Sequence, residues 1–370
     1  MDVTLSLTHD CNLACSYCYA GDKHRKSMSW QTAQKALEFA FSFDSPSLQL
    51  GFFGGEPLLQ WELLQQCSQE ADKLAQKSDV SLVKTVTTNA TLVTDEKAKW
   101  LVENSFVPAL SIDGNEQMHD ITRPLKGGKS SFSMCMAGLE ALLPHYPETE
   151  VIVVPSPENV AHLFAGVRFL YLEKGVKRVS INPNFYVEWS EKALKTWREE
   201  SDKLGDLFIE LYRQGRPVAL NFIDGKIITH LKCGFDCGDK CNFGEKEIAI
   251  APSGRIYPCE RLVANDDNDE MCIGHIESGF DEDKRQAILR RRGCVNAECL
   301  SCAIRGRCMN WCCCINYTIT GAIDVTDGIV CFHEQMAVEV ADRVGTTLFE
   351  ERNPAFLARY YGEDFSPLEK

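Results

Sequence analysis

The chain has 370 residues, of which 44% are hydrophobic and 25% charged, and a formal net charge of −14 at pH 7. Its length suits one large domain with an appendage, or two domains, rather than one small core. The acidic balance argues against nucleic acid or an anionic membrane as partner. No stretch is long and apolar enough to span a membrane, and the opening MDVTLSLTHD lacks the basic start and apolar run of a signal peptide, so a cytoplasmic location is expected.

In chain order, the first strand candidate is VTLSL from Val3, which leads directly into THDCNLACSYCYAG with Cys11, Cys15 and Cys18 spaced C-x3-C-x2-C. Behind Ser29, a candidate cap, Ala33, Ala36, Leu37, Ala40 and Phe41 fall at helical spacing. The second strand, LQLGFFGG from Leu48, runs into FGGEP. The third, LVKTVTTN from Leu82, ends in TTNATL, and Thr94 then stands as the cap of DEKAKWLVEN. VPALSID from Val107 and EVIVVP from Glu150 follow; Gly175 stops the helix FAGVRFLYLEK ahead of VKRVSIN from Val176. These short β-branched runs mostly do not alternate, as expected for parallel strands covered on both faces. Strand–helix alternation repeated about six times implies right-handed crossovers and an α/β fold: a parallel sheet curled into a full or partial (β/α)6 barrel of TIM type. Chemistry in such barrels sits on loops at the strand C-termini, which puts the three-cysteine loop and FGGEP on one face.

Eighteen cysteines are too many for ordinary packing, and thirteen of them lie between Cys233 and Cys331. In a reducing compartment clustered thiols hold metal or do catalysis more often than they pair. The uneven distribution marks a boundary, with divisions expected at 1–215 for the barrel, 216–335 for a cysteine-rich domain with its bridging region, and 336–370 for a helical tail. Three N-terminal thiolates suit either zinc or three irons of a cubane [4Fe–4S] cluster. Structural zinc wants four protein ligands, and beyond Cys18 no further cysteine is near, although His9 and His24 are; a cubane on three thiolates leaves one iron open to a small molecule. The C-x2-C and C-x3-C spacings of the later array also suit zinc as well as iron–sulfur.

Cys11, Cys15 and Cys18, with Tyr17 before the third, resemble the signature of the radical S-adenosylmethionine (SAM) enzymes. Gly54-Gly55-Glu56-Pro57 resembles their GGE motif, whose backbone and carboxylate receive the SAM amino group. Ser111-Ile-Asp113-Gly114 with His119-Asp120 and Arg123 resembles a run of the peptide-modifying branch, in which Ser111 and Arg123 hold the SAM carboxylate or ribose. Asn89 in TTNATL matches a TNGTL pattern, with Ala90 where glycine is usual. The resemblance implies that SAM chelates the open iron and that an electron from the cluster cleaves it to a 5′-deoxyadenosyl radical. A low-potential electron donor such as flavodoxin or ferredoxin is then an implied partner.

The second array, Cys241-x12-Gly254-x4-Cys259, then Cys299-x2-Cys302-x5-Cys308-x3-Cys312, then Cys331, resembles the SPASM extension of the same enzymes, which holds two auxiliary [4Fe–4S] clusters. By that resemblance, Cys241, Cys259 and Cys312 serve the first, with Cys237 as the fourth ligand and Cys233 as its competitor. Cys299, Cys302, Cys308 and Cys331 serve the second, making three clusters in all. Cys67 and Cys135 are read as core thiols, and Cys272, Cys294, Cys313 and Cys314 are left unassigned.

Glu260, directly after Cys259, stands where anaerobic sulfatase maturases carry an aspartate that takes a proton during oxidation. The carboxylate is kept but one methylene longer, which speaks against a standard sulfatase maturase. Its plainer reading is a glutamate paired with Arg261. Val3 already begins the barrel, so a leader peptide would be recognised by a separate protein or directly by the barrel and bridge. The implied activity is hydrogen abstraction from a peptide or protein, giving a crosslink or an oxidised residue as in ribosomal-peptide maturases. A formylglycine-forming sulfatase maturase is the alternative. A non-catalytic iron–sulfur carrier is the reading from another class; it leaves GGEP and the SIDG run unexplained, because a carrier needs no SAM pocket.

Overall fold

A computed structural model describes residues 1–22, 24, 26–236, 240–292 and 296–362. The first two-thirds alternates as the apolar runs require: β1 (Asp2–Thr8), α1 (Trp30–Ala40), β2 (Ser47–Gly54), α2 (Trp61–Ser78), β3 (Ser81–Thr88), α3 (Asp95–Glu103), β4 (Phe106–Ser111), α4 (Glu116–Thr122) and α5 (Phe132–Leu142). Then come β5 (Glu150–Val153), α6 (Leu163–Leu172), β6 (Arg178–Ile181), α7 (Glu191–Arg213), β7 (Ala219–Leu220) and α8 (Asn221–Leu231). The remainder is β8 (Glu247–Ile250), β9 (Arg255–Tyr257), β10 (Gly274–His275), β11 (Gly279–Phe280), α9 (Glu282–Arg291), α10 (Cys313–Thr320), α11 (Gly328–Glu350) and α12 (Pro354–Tyr361).

Strands β1 to β7 are parallel neighbours in sequence order, which is the partial barrel expected from the alternation. On the free side of β1 the sheet continues into β8, also parallel, and then into antiparallel β9, β10 and β11. The sheet order runs from β11 at one edge to β7 at the other, so it stays open. The cysteine-rich part is therefore hydrogen-bonded to the first strand, with Val3 opposite Ile248 and Leu5 opposite Ile250. Strand β7 lies past residue 215 and pairs with β6.

Local chemistry sets the element ends. Ser29 Oγ accepts the Thr32 N–H at 3.0 Å, and Thr94 Oγ1 accepts the Lys97 N–H at 3.3 Å, each satisfying a donor that the first helical turn leaves unpaired. Gly175 sits at φ +70° after α6, the left-handed conformation that only glycine takes without strain. Leu5 and Leu7 on β1, Leu50 and Phe52 on β2, and Leu110 on β4 are buried in the core. Cys67 on α2 and Cys135 on α5 are fully buried in that core.

Helix α11 packs against α7 and α8 and closes the outer layer. A buried ion pair joins it to α8: Lys226 Nζ lies 2.6 Å from Glu334 Oε2. The same ammonium donates to the Arg307 carbonyl at 2.6 Å, and the Met309 N–H donates to Glu334 at 2.7 Å. This knot fixes the Cys308 segment to the helices. Among the described residues no helix is long and apolar enough to cross a membrane.

Candidate active site

The C-terminal ends of the parallel strands open into a cavity of about 480 Å³. Cys11, Cys15 and Cys18 line it, with Tyr17, Gly54, Gly55, Asn89, Ser111 and Arg123. The loop that carries the three thiols is clamped by the glycine pair. Gly55 N–H donates to the Thr8 carbonyl at 2.7 Å, and Glu56 N–H donates to the Asp10 carbonyl at 2.8 Å. Glycines are required there for space: a Cβ on Gly54 would stand 2.4 Å from the Thr8 oxygen, and one on Gly55 would stand 2.1 Å from the Asp10 oxygen.

Glu56 departs from its expected place. It is fully buried and does not line the cavity. Its Oε1 accepts from Leu58 N–H at 2.9 Å and Thr88 Oγ1 at 2.7 Å, while Oε2 accepts from Asn89 N–H at 2.8 Å. Burial pushes its carboxyl upward, against the pull of these three donors. The carboxylate thus ties the β2 turn to the end of β3 and acts behind the wall. Asn89 is carried into the cavity by this tie. Its Nδ2 donates to Asn12 Oδ1 at 2.9 Å and lies 3.7 Å from Cys11 Sγ, linking β3 to the cysteine loop. Ala90 takes φ +68°, so the substitution for glycine leaves the backbone turn intact at the cost of local strain.

On the other side of the loop, Tyr17 OH donates to Asp113 Oδ2 at 2.7 Å and accepts from Arg123 Nη1 at 2.5 Å. Asp113 also receives Thr122 Oγ1 at 3.0 Å and Val154 N–H at 2.8 Å. The imidazole of His119 accepts the Asp113 N–H through Nδ1, leaving Nε2 to bond Ser131, whose hydroxyl donates to the Arg123 carbonyl. Burial and then the Arg123 charge hold His119 down at about 2, so the ring is neutral and structural. The "SIDG…H…R" run is thus one network whose product is the placement of Arg123. Arg123 Nε is buried without a hydrogen-bond partner, a donor suited to a carboxylate or ribose oxygen.

The donor set fits the cofactors. Three thiols of one loop face the cavity, and each is within electrostatic reach of Cys15, whose thiol is pushed up to about 11 chiefly by burial. A metal removes that penalty by taking the proton's place.

The far wall comes from the cysteine-rich part. Glu260, Arg261 and Glu247 line the same cavity, as do Tyr19 and Tyr186. The carboxylate oxygens of Glu247 and Glu260 and Cys259 Sγ all lie within 4.8 Å of one another. Cys241 Sγ donates to Glu247 Oε2 at 2.9 Å. Arg261, which the Glu260 charge reaches, stacks 4.6 Å over the Tyr19 ring and donates to Tyr186 OH at 3.2 Å. Sequence reasoning missed Glu247, Tyr19 and Tyr186. Tyr19 only follows Cys18 and Tyr186 stands in no motif, while Glu247 reaches the cavity lining only through the pairing of β8 with β1, where it lies opposite Asp2.

Cys299, Cys302, Cys308 and Cys331 line one small cavity. Cys241, Cys259 and Cys312 gather at the end of β9, with Cys312 electrostatically coupled to Cys241. Cys237 and Cys294 lie outside the described residues.

Residues 5–170 match the Radical SAM superfamily. An uncharacterized protein of Methanocaldococcus jannaschii is 32% identical over 298 residues, which cover 80% of this chain and 95% of that protein. The cysteine-type anaerobic sulfatase-maturating enzyme of Clostridium perfringens strain 13 is 23% identical over 336 residues, 82% of this chain and 85% of that enzyme. The solved structure of native anSMEcpe with bound AdoMet and Cp18Cys peptide is 21% identical, with a TM-score of 0.78 over 95% of this chain and 99% of that one. The chain belongs to the radical SAM superfamily: it is an enzyme, a maturase related to the sulfatase maturases and peptide-modifying enzymes, that works with SAM and a [4Fe–4S] cluster.

Proposed function

We propose that the enzyme oxidises a peptide or protein by hydrogen abstraction and yields a crosslink or an oxidised residue. The observation that carries this reading is that one cavity holds both the three-cysteine loop with its Arg123 network and, on the far wall, Glu260 beside Cys259. When bound, SAM and its cluster supply the 5′-deoxyadenosyl radical that removes a substrate hydrogen atom. Cys11, Cys15 and Cys18 hold that cluster; Gly54, Gly55, Asn89, Ser111, Arg123 and Tyr17 shape the SAM pocket, and Glu56 supports it from behind. The substrate radical must still lose an electron and a proton to become closed-shell. Glu260 takes the proton; Cys241, Cys259 and Cys312 would hold a first auxiliary cluster, which would supply an acceptor for the electron. Cys299, Cys302, Cys308 and Cys331 hold a second auxiliary cluster, for three in all. Electrons enter from a flavodoxin or ferredoxin. A separate leader-binding protein is an optional partner.

The reading is tested by anaerobic incubation with SAM, reductant and peptides encoded beside this gene. Loss of a pair of hydrogens by mass spectrometry, with 5′-deoxyadenosine formed in step, is the expected result. SAM cleavage with no mass change in any of them sinks it. A second reading, formylglycine formation on a sulfatase, is favoured by the similarity to the sulfatase-maturating enzyme over 82% of this chain. A sulfatase peptide with cysteine at the target position separates the two, because only that reading converts it to an aldehyde.

A further inference from the structure

A second cavity lies at the N-terminal ends of β6 and β7, the opposite end of the parallel strands from the three-cysteine loop. Its volume is about 540 Å³, and it shares no lining residue with the cavity that holds Cys11, Cys15 and Cys18. The turns that end α6 and α7 build it, with Gly175 at φ +70° and Gly215 at φ +69°. They deliver two adjacent runs, Val176-Lys177-Arg178 and Arg216-Pro217-Val218. The Ala219 N–H donates to the Lys177 carbonyl at 2.8 Å, and Arg178 lies opposite Ala219 in the register of the two strands. Tyr171, Val176 and Val218 make a buried floor, fixed by the Tyr171 hydroxyl, which donates to the Ala219 carbonyl at 2.7 Å.

The rim of this groove is cationic. Lys177, Arg178, Arg216 and, from α12, Arg359 line it against one carboxylate, Glu148. Lys177 Nζ lies 2.7 Å from Glu148 Oε1, and Arg359 Nη2 lies 2.6 Å from Asp224 Oδ1. Arg178 and Arg216 are exposed, and among the described residues neither has an ion-pair or side-chain hydrogen-bond partner. On a chain with a net charge of −14, a concave site with two uncommitted guanidiniums is a local reversal of sign. An acidic ligand is repelled by the chain as a whole and drawn to this one place. Guanidinium forks match carboxylates two hydrogen bonds at a time. An open groove with an apolar floor and a charged rim suits an extended acidic peptide, whereas small-molecule sites enclose most of their ligand.

We propose that this groove binds an acidic segment of the substrate peptide and anchors it through Arg178 and Arg216, away from the reacting residue. This rests on the peptide-modifying reading above. The fold sets the separation. Strand β1 runs 7 residues, Asp2–Thr8, before it reaches the cysteine loop, a span of about 23 Å at roughly 3.3 Å per residue. The groove and the reacting atoms lie at opposite ends of such strands. At least about seven residues of extended chain must therefore separate the acidic segment from the modified residue.

The test uses the reconstituted full chain with fluorescein-labelled hexaglutamate as probe, read by fluorescence anisotropy. A neutral glycine–serine hexapeptide is the control and inorganic pyrophosphate the competitor. Saturable binding of hexaglutamate that weakens as salt rises is expected. Arg178→Ala with Arg216→Ala should weaken it about tenfold. Both side chains are exposed and unpaired, so iron content and uncoupled SAM cleavage should stay at parental values. Arg168→Ala with Lys192→Ala removes two exposed charges that do not line the groove and should leave binding unchanged. Equal weakening in that pair overturns the site, as does binding no better than that of the neutral peptide. Pyrophosphate that binds more tightly than hexaglutamate, and is lost in the same variant, assigns the groove to a phosphate ligand and overturns the proposal too. The second arm uses a peptide that the enzyme modifies. Its KM should rise about tenfold at unchanged kcat in Arg178→Ala with Arg216→Ala, and likewise when its acidic segment is deleted. A parental KM overturns the anchoring role. If no peptide is modified while hexaglutamate binding still needs Arg178 and Arg216, the peptide-modifying reading fails and the acidic-peptide site stands.

Discussion

Gly55→Ala should uncouple the first cluster from the rest of the protein. Gly55 does not have a positive φ, so alanine is allowed by the backbone and the effect is purely steric. The new Cβ would meet the Asp10 oxygen at 2.1 Å, its carbonyl carbon at 2.6 Å and the His9 oxygen at 2.7 Å. Ordinary carbon–oxygen contact begins near 3.3 Å, so the loop must move by about 1.2 Å. All three atoms are backbone and immediately precede Cys11, so no side chain can swing aside. A shift of that size also breaks the Gly55–Thr8 and Glu56–Asp10 hydrogen bonds, at roughly 1 kcal/mol each. With the overpacking itself at about 1–3 kcal/mol, the local cost is roughly 3–5 kcal/mol, borne by the loop that places the thiols. The assay is iron content and 5′-deoxyadenosine formation after anaerobic reconstitution. Iron should fall from about twelve to about eight per chain, and SAM cleavage should be lost. Gly225→Ala on α8, where a Cβ meets nothing within 4 Å, is the control and should gain up to about 1 kcal/mol with activity unchanged. Full iron and parental SAM cleavage in Gly55→Ala would refute the idea that the glycine pair exists to seat the cysteine loop.

Replacing Cys11, Cys15 and Cys18 together by alanine should abolish 5′-deoxyadenosine while leaving auxiliary iron in place; retained SAM cleavage would remove them from the proposed mechanism. Glu260→Gln keeps size and hydrogen bonding but not basicity. It should hold its iron and cleave SAM yet release 5′-deoxyadenosine without modified peptide, and parental product formation would make Glu260 structural. Glu334→Gln breaks the buried pair with Lys226 and should cost about 3–5 kcal/mol in urea unfolding at pH 7. The pair has a pH signature as well. Burial alone would raise the Glu334 carboxyl, but the His333 ring 3.3 Å away and the Lys226 ammonium outweigh it and hold the group down at about 2. Its contribution is therefore present above the ordinary carboxylate pKa and lost as pH falls from about 4.5 towards 2, a loss that Glu334→Gln should not show when followed in the chain before cluster reconstitution.

The barrel was legible in the sequence because the strands are short, largely apolar runs and some of the helices between them carry a start signal. Ser29 and Thr94 act as the caps their positions announce. The cavity around the three cysteines was legible for a related reason: its lining motifs follow strands directly, so local order and the parallel topology together place them on one face. Roles assigned to side chains within those motifs were less secure. Glu56 belongs to the GGE motif yet faces inward, because hydrogen bonds from Leu58, Thr88 and Asn89 saturate its carboxylate. Of the far wall, only Glu260 and its neighbours around Cys259 were legible. Glu247 is separated from Cys11 by most of the chain and meets the cavity only because β8 pairs beside β1. Arg261 is reached by the charge of its neighbour Glu260 but stacks on Tyr19 and bonds Tyr186, contacts made by packing. In the CCC run, spacing admits several pairings, and the helical turn that begins at Cys313 decides that Cys314 rather than Cys313 meets Cys312. Periodicity and strand ends are properties of neighbouring residues, so sequence carries them; contacts across the sheet edge join segments some 240 residues apart, and only the folded chain selects them.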